Sequence, residues 1–153
     1  MSAHIHNLLR RPSIALVARI LLTLPFWTSG LSKLLAFDSA VAEMAQAGLK
    51  PAPAFALATI ATQLTGSALI IAGRRTWIGA GALGIFTVLT ILLVHRFWTM
   101  IEEPFRTIAL HTAMEHLGII GGLLGIAILS SHGNLARAAD RVDAVRSHML
   151  RGR

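Results

Sequence analysis

The apolar residues of this chain are gathered into four long runs, separated by short polar stretches. The runs cover residues 13–36, 51–73, 76–97 and 106–131. Each has the roughly 20 residues that a helix needs to cross a hydrocarbon core of about 30 Å. The connections are short, which brings consecutive helices side by side in opposite directions. The pattern therefore predicts an all-α integral membrane protein, built as an antiparallel four-helix bundle.

The residues after the fourth run have a different pattern. An apolar stripe at helical spacing runs through them, formed by Leu135, Ala138, Val142, Val145 and Met149, while most arginines lie off that stripe. We therefore divide the chain into a four-span domain, residues 1–131, and a basic tail, residues 132–153. The tail is predicted to form an amphipathic helix on the cytoplasmic surface of the membrane. A disordered basic tail is the alternative.

The composition agrees with a membrane protein and restricts its chemistry. Hydrophobic residues make up 54% of the chain and charged residues only 14%, whereas about 25% of a soluble domain is charged. The sequence has no cysteine and no tyrosine, so it cannot pass electrons through thiols of its own. We expect redox chemistry to need a partner subunit, and the chain not to be catalytic alone.

Basic residues indicate the orientation in the membrane. They are concentrated at residues 10–11, at residues 74–75 and in the tail, whereas the other side has only Lys50, Arg96 and Arg106. The positive-inside rule then places both termini in the cytoplasm. The net charge of +7 is explained by topology and by attraction to the lipid bilayer, so no nucleic-acid partner is expected. We expect the first span to be retained, because it is too long for a signal peptide and carries Lys33 before any cleavage site.

Small residues recur at spacings that allow helices to approach closely. The pairs Gly118/Gly122, Gly121/Gly125 and Ala80/Gly84 follow the small-xxx-small pattern. The candidate helix-packing residues are Gly30, Gly66, Ala80, Gly84, Gly118, Gly121, Gly122 and Gly125. We expect them to pack within the chain, and a homo-oligomer interface is the alternative.

Polar side chains inside the spans are the candidate functional residues. Arg19 and Lys33 share one face of the first span with Gly30. Glu115 is at helical spacing from the glycines of the fourth span, so we predict that it faces inward and pairs with Lys33, with His111 nearby. An unpaired carboxylate there would cost about 2.5–3.5 kcal/mol. The predicted outward-opening polar pocket comprises Arg19, Lys33, Gln63, His95, His111, Glu115 and His116.

Two of these residues have structural alternatives. Arg19 is close enough to the inner boundary to extend toward the headgroups instead. Gln63 is at the centre of the second span, where a hydrogen bond between helices would explain its presence.

The histidines raise the question of a metal. His95 and His111 have similar depth on adjacent spans and Glu115 lies one turn further in; two histidines with a carboxylate are suitable ligands for iron or zinc. However, no H-E-x-x-H or E-x-x-H motif is present. We expect a hydrogen-bonded histidine cluster, with no metal and no haem.

Several short motifs, taken in order, resemble the DoxX family of small four-span membrane proteins. They are Arg19, Phe26-x-x-x-Gly30-x-x-Lys33-Leu34, Gly48-x-x-Pro51, Gln63-x-x-Gly66, His95-x-Phe97-Trp98 and Gly121-Gly122-Leu123-Leu124. The resemblance covers residues 19–129, most of the chain. It differs at two places, since the family usually has a glutamate at the position of Gln63 and often Lys-Asn at the positions of Glu115 and His116.

The resemblance implies a prokaryotic inner membrane, contact with quinone, and redox partner subunits. We therefore expect a DoxX-like membrane subunit or anchor of a quinone-linked oxidoreductase complex, with no cofactor of its own. The alternative is a protein that binds or transports a small molecule, an ion or a lipid through an outward-facing polar pocket.

The charge distribution generates a topology prediction. Reporter fusions placed after Arg75 and after Arg153 should both report the cytoplasmic side, because arginine is concentrated at both places. A periplasmic signal from either fusion would contradict the predicted orientation.

Overall fold

The computed structural model describes the backbone of residues 2–151 and the side chains of residues 5–8 and 10–131. These residues form helices and no strands: α1 (Ser2–Leu9), α2 (Pro12–Leu35), α3 (Phe37–Gln46), α4 (Ala52–Ala72), α5 (Thr76–Leu93) and α6 (Phe105–Arg151), with a 3₁₀ turn at Phe97–Thr99. Four segments are long and apolar enough to cross a membrane: Pro12–Leu35, Ala52–Ala72, Thr76–Thr99 and Phe105–Ser131. The prediction of four helices of membrane-spanning length is confirmed.

Proline and glycine set several of the helix boundaries. Pro12 occupies the first turn of α2, where its missing N–H has no helical partner to lose. Pro51 is extended and immediately precedes α4. Gly73 ends α4 in the left-handed region, with φ +67°, a conformation that costs glycine little. These residues leave only a three-residue turn, 73–75, between α4 and α5.

The short helix α3 was not predicted. It fills much of the connection between the first two spans, and its buried residues Ala40 and Met44 cluster with Ala56 of α4. The signal was present in the sequence, because Phe37, Ala40, Val41 and Met44 recur at helical spacing. The run was too short and too polar to register as a fifth span.

Each span packs mainly against its neighbour along the chain. α2 contacts α4, α4 contacts α5, and α5 contacts α6, whereas α2 and α6 touch at few positions. A core cluster draws residues from all four spans, namely Phe26, Ile70, Ala80, Leu83 and Leu123. This core lies between the two ends of the helices and separates two clefts, one toward each end.

The closest helix contact joins α4 to α5 through two glycines. A Cβ added to Gly79 would lie 2.6 Å from the carbonyl oxygen of Gly66, and one added to Gly66 would lie 2.8 Å from Leu83. Gly79 was not among the predicted packing residues. Gly79 lies on α5 and directly opposes Gly66 on α4. Residue spacing within a single helix cannot reveal such a contact between two helices.

The predicted packing residues divide into two groups. Gly30 lies against Gln63 and Leu64, Gly66 against Leu83, and Gly122 against Leu22, and Ala80 is buried. Around the Cβ positions of the other four there is open space, since no heavy atom of a neighbouring element stands within 4 Å; these are Gly84, Gly118, Gly121 and Gly125.

The last helix continues past the fourth span. α6 runs from Phe105 to Arg151 without interruption, so the boundary predicted at residue 131 is not a break in the backbone helix. The side chains of the predicted amphipathic tail, residues 132–153, lie outside the described part, and their contact with the membrane surface stays a prediction.

The glycine contact predicts a sharp difference between two neighbouring substitutions. Gly79→Ala should destabilise the protein by about 1–3 kcal/mol, because backbone atoms of α4 block the new methyl group. Gly81→Ala should be neutral or slightly stabilising, since its Cβ position is open and alanine favours a helix. Thermal unfolding of the two detergent-solubilised variants measures this difference, and equal midpoints would contradict it.

Candidate binding site

A cavity of about 590 Å³ lies where the C-terminal ends of α2 and α5 meet the beginning of α4 and the helix α3. The middle of α6 also contributes to its wall, through His116 and Ile119. The volume is within the range of about 300–1,000 Å³ that is typical of small-molecule sites. Four spans and α3 therefore enclose a space large enough for a ligand.

Most of the cavity surface is apolar, although about half of the lining residues carry a polar group. Aromatic and aliphatic side chains line it from every span, among them Phe26, Phe55, Phe86, Leu89 and Ile119. The polar and charged residues on the wall include Ser29, Lys33, Glu43, Gln46, Gln63, Arg96 and His116. A largely apolar surface with polar groups placed on it suits an amphipathic molecule.

Gln63 is a deeply buried polar residue of this cavity, with 4% of its surface exposed. Its Nε2 donates to Ser29 Oγ at 3.3 Å. Its Oε1 is buried and has no hydrogen-bond partner among the described residues. A buried, unpaired amide oxygen costs about 1–3 kcal/mol, so the site offers an acceptor that a ligand can satisfy.

Lys33 forms an ion pair with Glu43 of α3, with 2.7 Å between Nζ and Oε2. Lys33 is 17% exposed and Glu43 53% exposed, which places the pair at the rim of the cavity. The predicted pairing of Lys33 with Glu115 is wrong. The sequence reading missed Glu43 as the partner because it treated residues 38–50 as a connection without a helix.

The histidines form an edge-to-face pair. The rings of His95 and His116 have centroids 5.1 Å apart and an interplanar angle of 65°. His116 Nδ1 lies 2.8 Å from the carbonyl oxygen of Thr112. Because a carbonyl can only accept, Nδ1 carries a proton, and a neutral ring then leaves Nε2 as an acceptor. His116 lines the cavity directly, and the ring of His95 packs edge to face against the ring of His116.

His111 and Glu115 are exposed on α6 and do not line the cavity. The face of α6 that is turned inward is the one with Ala109, Ala113 and Leu123, which are all buried. Glu115 was predicted to face inward because it is aligned with glycines, but alanines form the inner face. His116, one residue further on, is the side chain that reaches the cavity.

Arg19 lies at the other end of the helices, on a second cleft. The predicted pocket is therefore brought together in part, through Lys33, Gln63 and His116. The described residues contain no group of three or more His, Asp or Glu side chains that could hold a metal.

The cavity residues that the sequence analysis missed include Ser29, Glu43 and Arg96. Ser29 precedes the buried Gly30, and a polar residue next to a packing glycine could have indicated it. Glu43 is an acidic residue of α3, the helix that the sequence did not predict. Arg96 was assigned only to the topology count, although it lines the cavity beside the end of α5.

Comparison with protein families gives one match. Residues 14–96 match the family model DoxX, which covers more than half of the chain. The matched region includes α2, α3, α4 and α5, and thus most of the cavity wall. Searches of the curated proteins and of the solved structures gave no match.

The ion pair predicts energetic coupling between α2 and α3. Lys33→Met and Glu43→Gln should show a coupling energy of about 0.5–1 kcal/mol in a double-mutant cycle, because the pair is partly exposed. Lys33→Met combined with Glu115→Gln is the matched control and should be additive. Both cycles are measured by thermal unfolding. Coupling between Lys33 and Glu115, with none between Lys33 and Glu43, would contradict the observed ion pair and support the Lys33–Glu115 pair instead.

Proposed function

The chain belongs to the DoxX family of membrane proteins, and we propose that it is a membrane subunit that holds a quinone headgroup for an oxidoreductase. In this proposal the redox centres are in partner subunits. The observation that carries the proposal is the unpartnered amide oxygen of Gln63 on the wall of an apolar cavity. The lack of cysteine and tyrosine in the sequence supports a role in binding the quinone and not in transferring its electrons.

The shape and composition of the cavity suit a quinone. The headgroup is a flat ring with polar oxygens, and its isoprenoid chain is apolar. Phe26 and Phe86 provide aromatic surface on the same wall as Gln63. Their rings are edge to face, with centroids 6.4 Å apart. The aliphatic residues toward the end of α5, Leu89 and Leu93, offer an apolar path for the chain.

Gln63 can serve both redox forms of the ligand. In the observed orientation its Oε1 is free to accept a hydrogen bond from a quinol hydroxyl. If the amide turns by half a rotation, Oε1 accepts from the Ser29 hydroxyl and Nε2 can donate to a quinone carbonyl. A site that takes up one form and releases the other benefits from such a side chain.

His116 supplies a second polar contact. Its Nδ1 is engaged by Thr112, so Nε2 is the ring nitrogen that can accept from a quinol hydroxyl. A histidine acceptor is suited to taking a proton when a quinol is oxidised by a partner.

The face of α6 that is turned away from the other spans supports association with another subunit. Glu115 is exposed although it lies well inside the span Phe105–Ser131. A carboxylate that faces lipid costs about 2.5–3.5 kcal/mol, and the open space at Gly118 would let a second helix approach closely. We propose that a partner subunit's helix covers this face with a cation opposite Glu115, and a second copy of this chain is the alternative occupant.

We propose that the four spans form an antiparallel bundle in a prokaryotic inner membrane, with both termini in the cytoplasm. The concentration of arginine at residues 10–11 and 74–75 supports this orientation. The cavity then opens toward the outer side, and the cleft at Arg19 faces the cytoplasm.

Binding or transport of a small polar molecule is the second candidate function. It is favoured by the three charged side chains on the cavity wall, Lys33, Glu43 and Arg96. Purification from native membranes in mild detergent distinguishes the two functions. A quinone-linked complex should co-purify with the visible absorbance of flavin or haem, whereas a separate binding protein should not.

The role of Gln63 can be tested with decylubiquinone as the probe. Gln63→Met keeps the length of the side chain and removes both hydrogen-bonding groups, so it should fold but bind decylubiquinone about 5- to 10-fold more weakly. Thr65→Val, on the exposed face of the same helix, is the matched control and should bind like the parent protein. The measurement is protection against thermal unfolding over a titration of decylubiquinone, with decanol as the ligand that lacks the ring.

Equal protection of the parent protein by decanol and decylubiquinone would contradict a headgroup site. Unchanged affinity in the Gln63→Met variant would contradict the assignment of Gln63.

A further inference from the structure

A second cleft, of about 490 Å³, lies between α2 and α6 at the opposite end of the helices from the cavity. It is lined by the first half of α2, the turn between α4 and α5, and α6 near residue 126. None of its lining residues belongs to the quinone cavity. The cleft is therefore a separate feature of the fold, and a ligand bound there would be independent of the proposed quinone site.

Two arginines line this cleft from different elements. Arg19 comes from α2, and its guanidinium lies against Gly73 at the end of α4. Arg75 immediately precedes α5 and is held in the left-handed region at φ +51°, which is uncommon for a residue other than glycine. Within the described part of the chain neither has an acidic partner, because the ion pair there joins Lys33 to Glu43 at the other end.

The amino end of α5 adds to the positive potential. Thr76 is the first residue of that helix and lines the cleft. The first N–H groups of a helix lack intrahelical partners and favour anions. Two guanidiniums and a helix amino end therefore face one cleft.

Most of the rest of the cleft wall is apolar. Leu22, Ile126 and Leu129 line it, and α2 and α6 touch each other at few positions. Gly125 also lines it, and the space around its Cβ position is open. The cleft thus combines cationic groups at one end with an apolar groove between two membrane-spanning helices.

We propose that this cleft binds an anionic phospholipid, with the headgroup phosphate held by Arg19 and Arg75 and an acyl chain along Leu22, Ile126 and Leu129. Arginine binds phosphate oxygens in a bidentate geometry. Basic pockets between membrane helices on the cytoplasmic side bind such headgroups. A soluble anion would use the same arginines but would have no use for the apolar groove.

The test is a titration of the purified full-length protein with phosphatidylglycerol or phosphatidylcholine in mixed micelles, read as the shift of the thermal midpoint. Phosphatidylglycerol should raise the midpoint more than phosphatidylcholine. Arg75→Asn, which is uncharged and tolerates the left-handed conformation, should weaken the apparent affinity for phosphatidylglycerol about fivefold. Arg19→Gln should have a similar effect.

Two matched controls separate this site from general surface charge. Arg74→Gln removes the neighbouring arginine, which does not line the cleft, and should leave the affinity nearly unchanged. Gly125→Leu fills the cleft without changing the charge and should also abolish the preference for phosphatidylglycerol, whereas Gly81→Leu, at an open position away from the cleft, should not.

The outcomes are decisive in both directions. Weaker binding of phosphatidylglycerol in Arg75→Asn and loss of the preference in Gly125→Leu, with both controls unaffected, support the lipid site. An equal effect of Arg74→Gln would reduce the observation to surface charge and overturn the proposal. Equal protection by inorganic phosphate would also overturn it, since the cleft would then be a site for a free anion.

Discussion

Inside a bilayer no water is available to pair with a polar group, and this constraint governs the interior of the protein. The buried hydroxyls satisfy it within their own helices. Thr23 donates to the carbonyl of Arg19 at 2.8 Å, Ser67 to that of Gln63 at 2.7 Å, and Thr87 to that of Leu83 at 2.7 Å. Such bonds do not join one helix to another, so the helices are held together mainly by the fit of their surfaces.

That fit depends on α4, which packs against α2, α3 and α5. Its glycine contact with α5 and the position of Gly30 against Gln63 bring three spans close together in the middle of the membrane. Beyond these contacts the spans separate, and the two clefts occupy the space that remains. Among the described residues, the buried side-chain atoms without a hydrogen-bond partner are Gln63 Oε1 and Trp27 Nε1. Gln63 Oε1 belongs to a residue on the wall of the cavity, and for this reason we interpret it as a ligand contact.

The sequence predicted the spans well because hydrophobicity over about 20 residues is a strong signal that needs no tertiary information. It predicted contacts less well, because a helical wheel gives relative directions but not which direction is inward. Glu115 and His116 differ by about 100° in direction on the helix. Because glycines and not alanines were taken to mark the inner face, Glu115 was predicted to face inward in place of His116. The pairing of Lys33 failed for a different reason, since its partner is on a helix too short to be recognised by hydropathy. Gly79 shows a further limit, because its importance arises only from the register that the turn imposes on α4 and α5.

The three-residue turn between α4 and α5 also constrains how the chain is made. Neither helix contains a charged residue, and Arg74 and Arg75 stand between them. A turn this short cannot leave one helix in the membrane and the other in water, so both must cross the translocation machinery as a helical hairpin. In the orientation that we propose, the two arginines keep the turn on the side from which insertion starts. We therefore expect α4 and α5 to behave as one insertion unit, with Gly66 and Gly79 opposed at their contact.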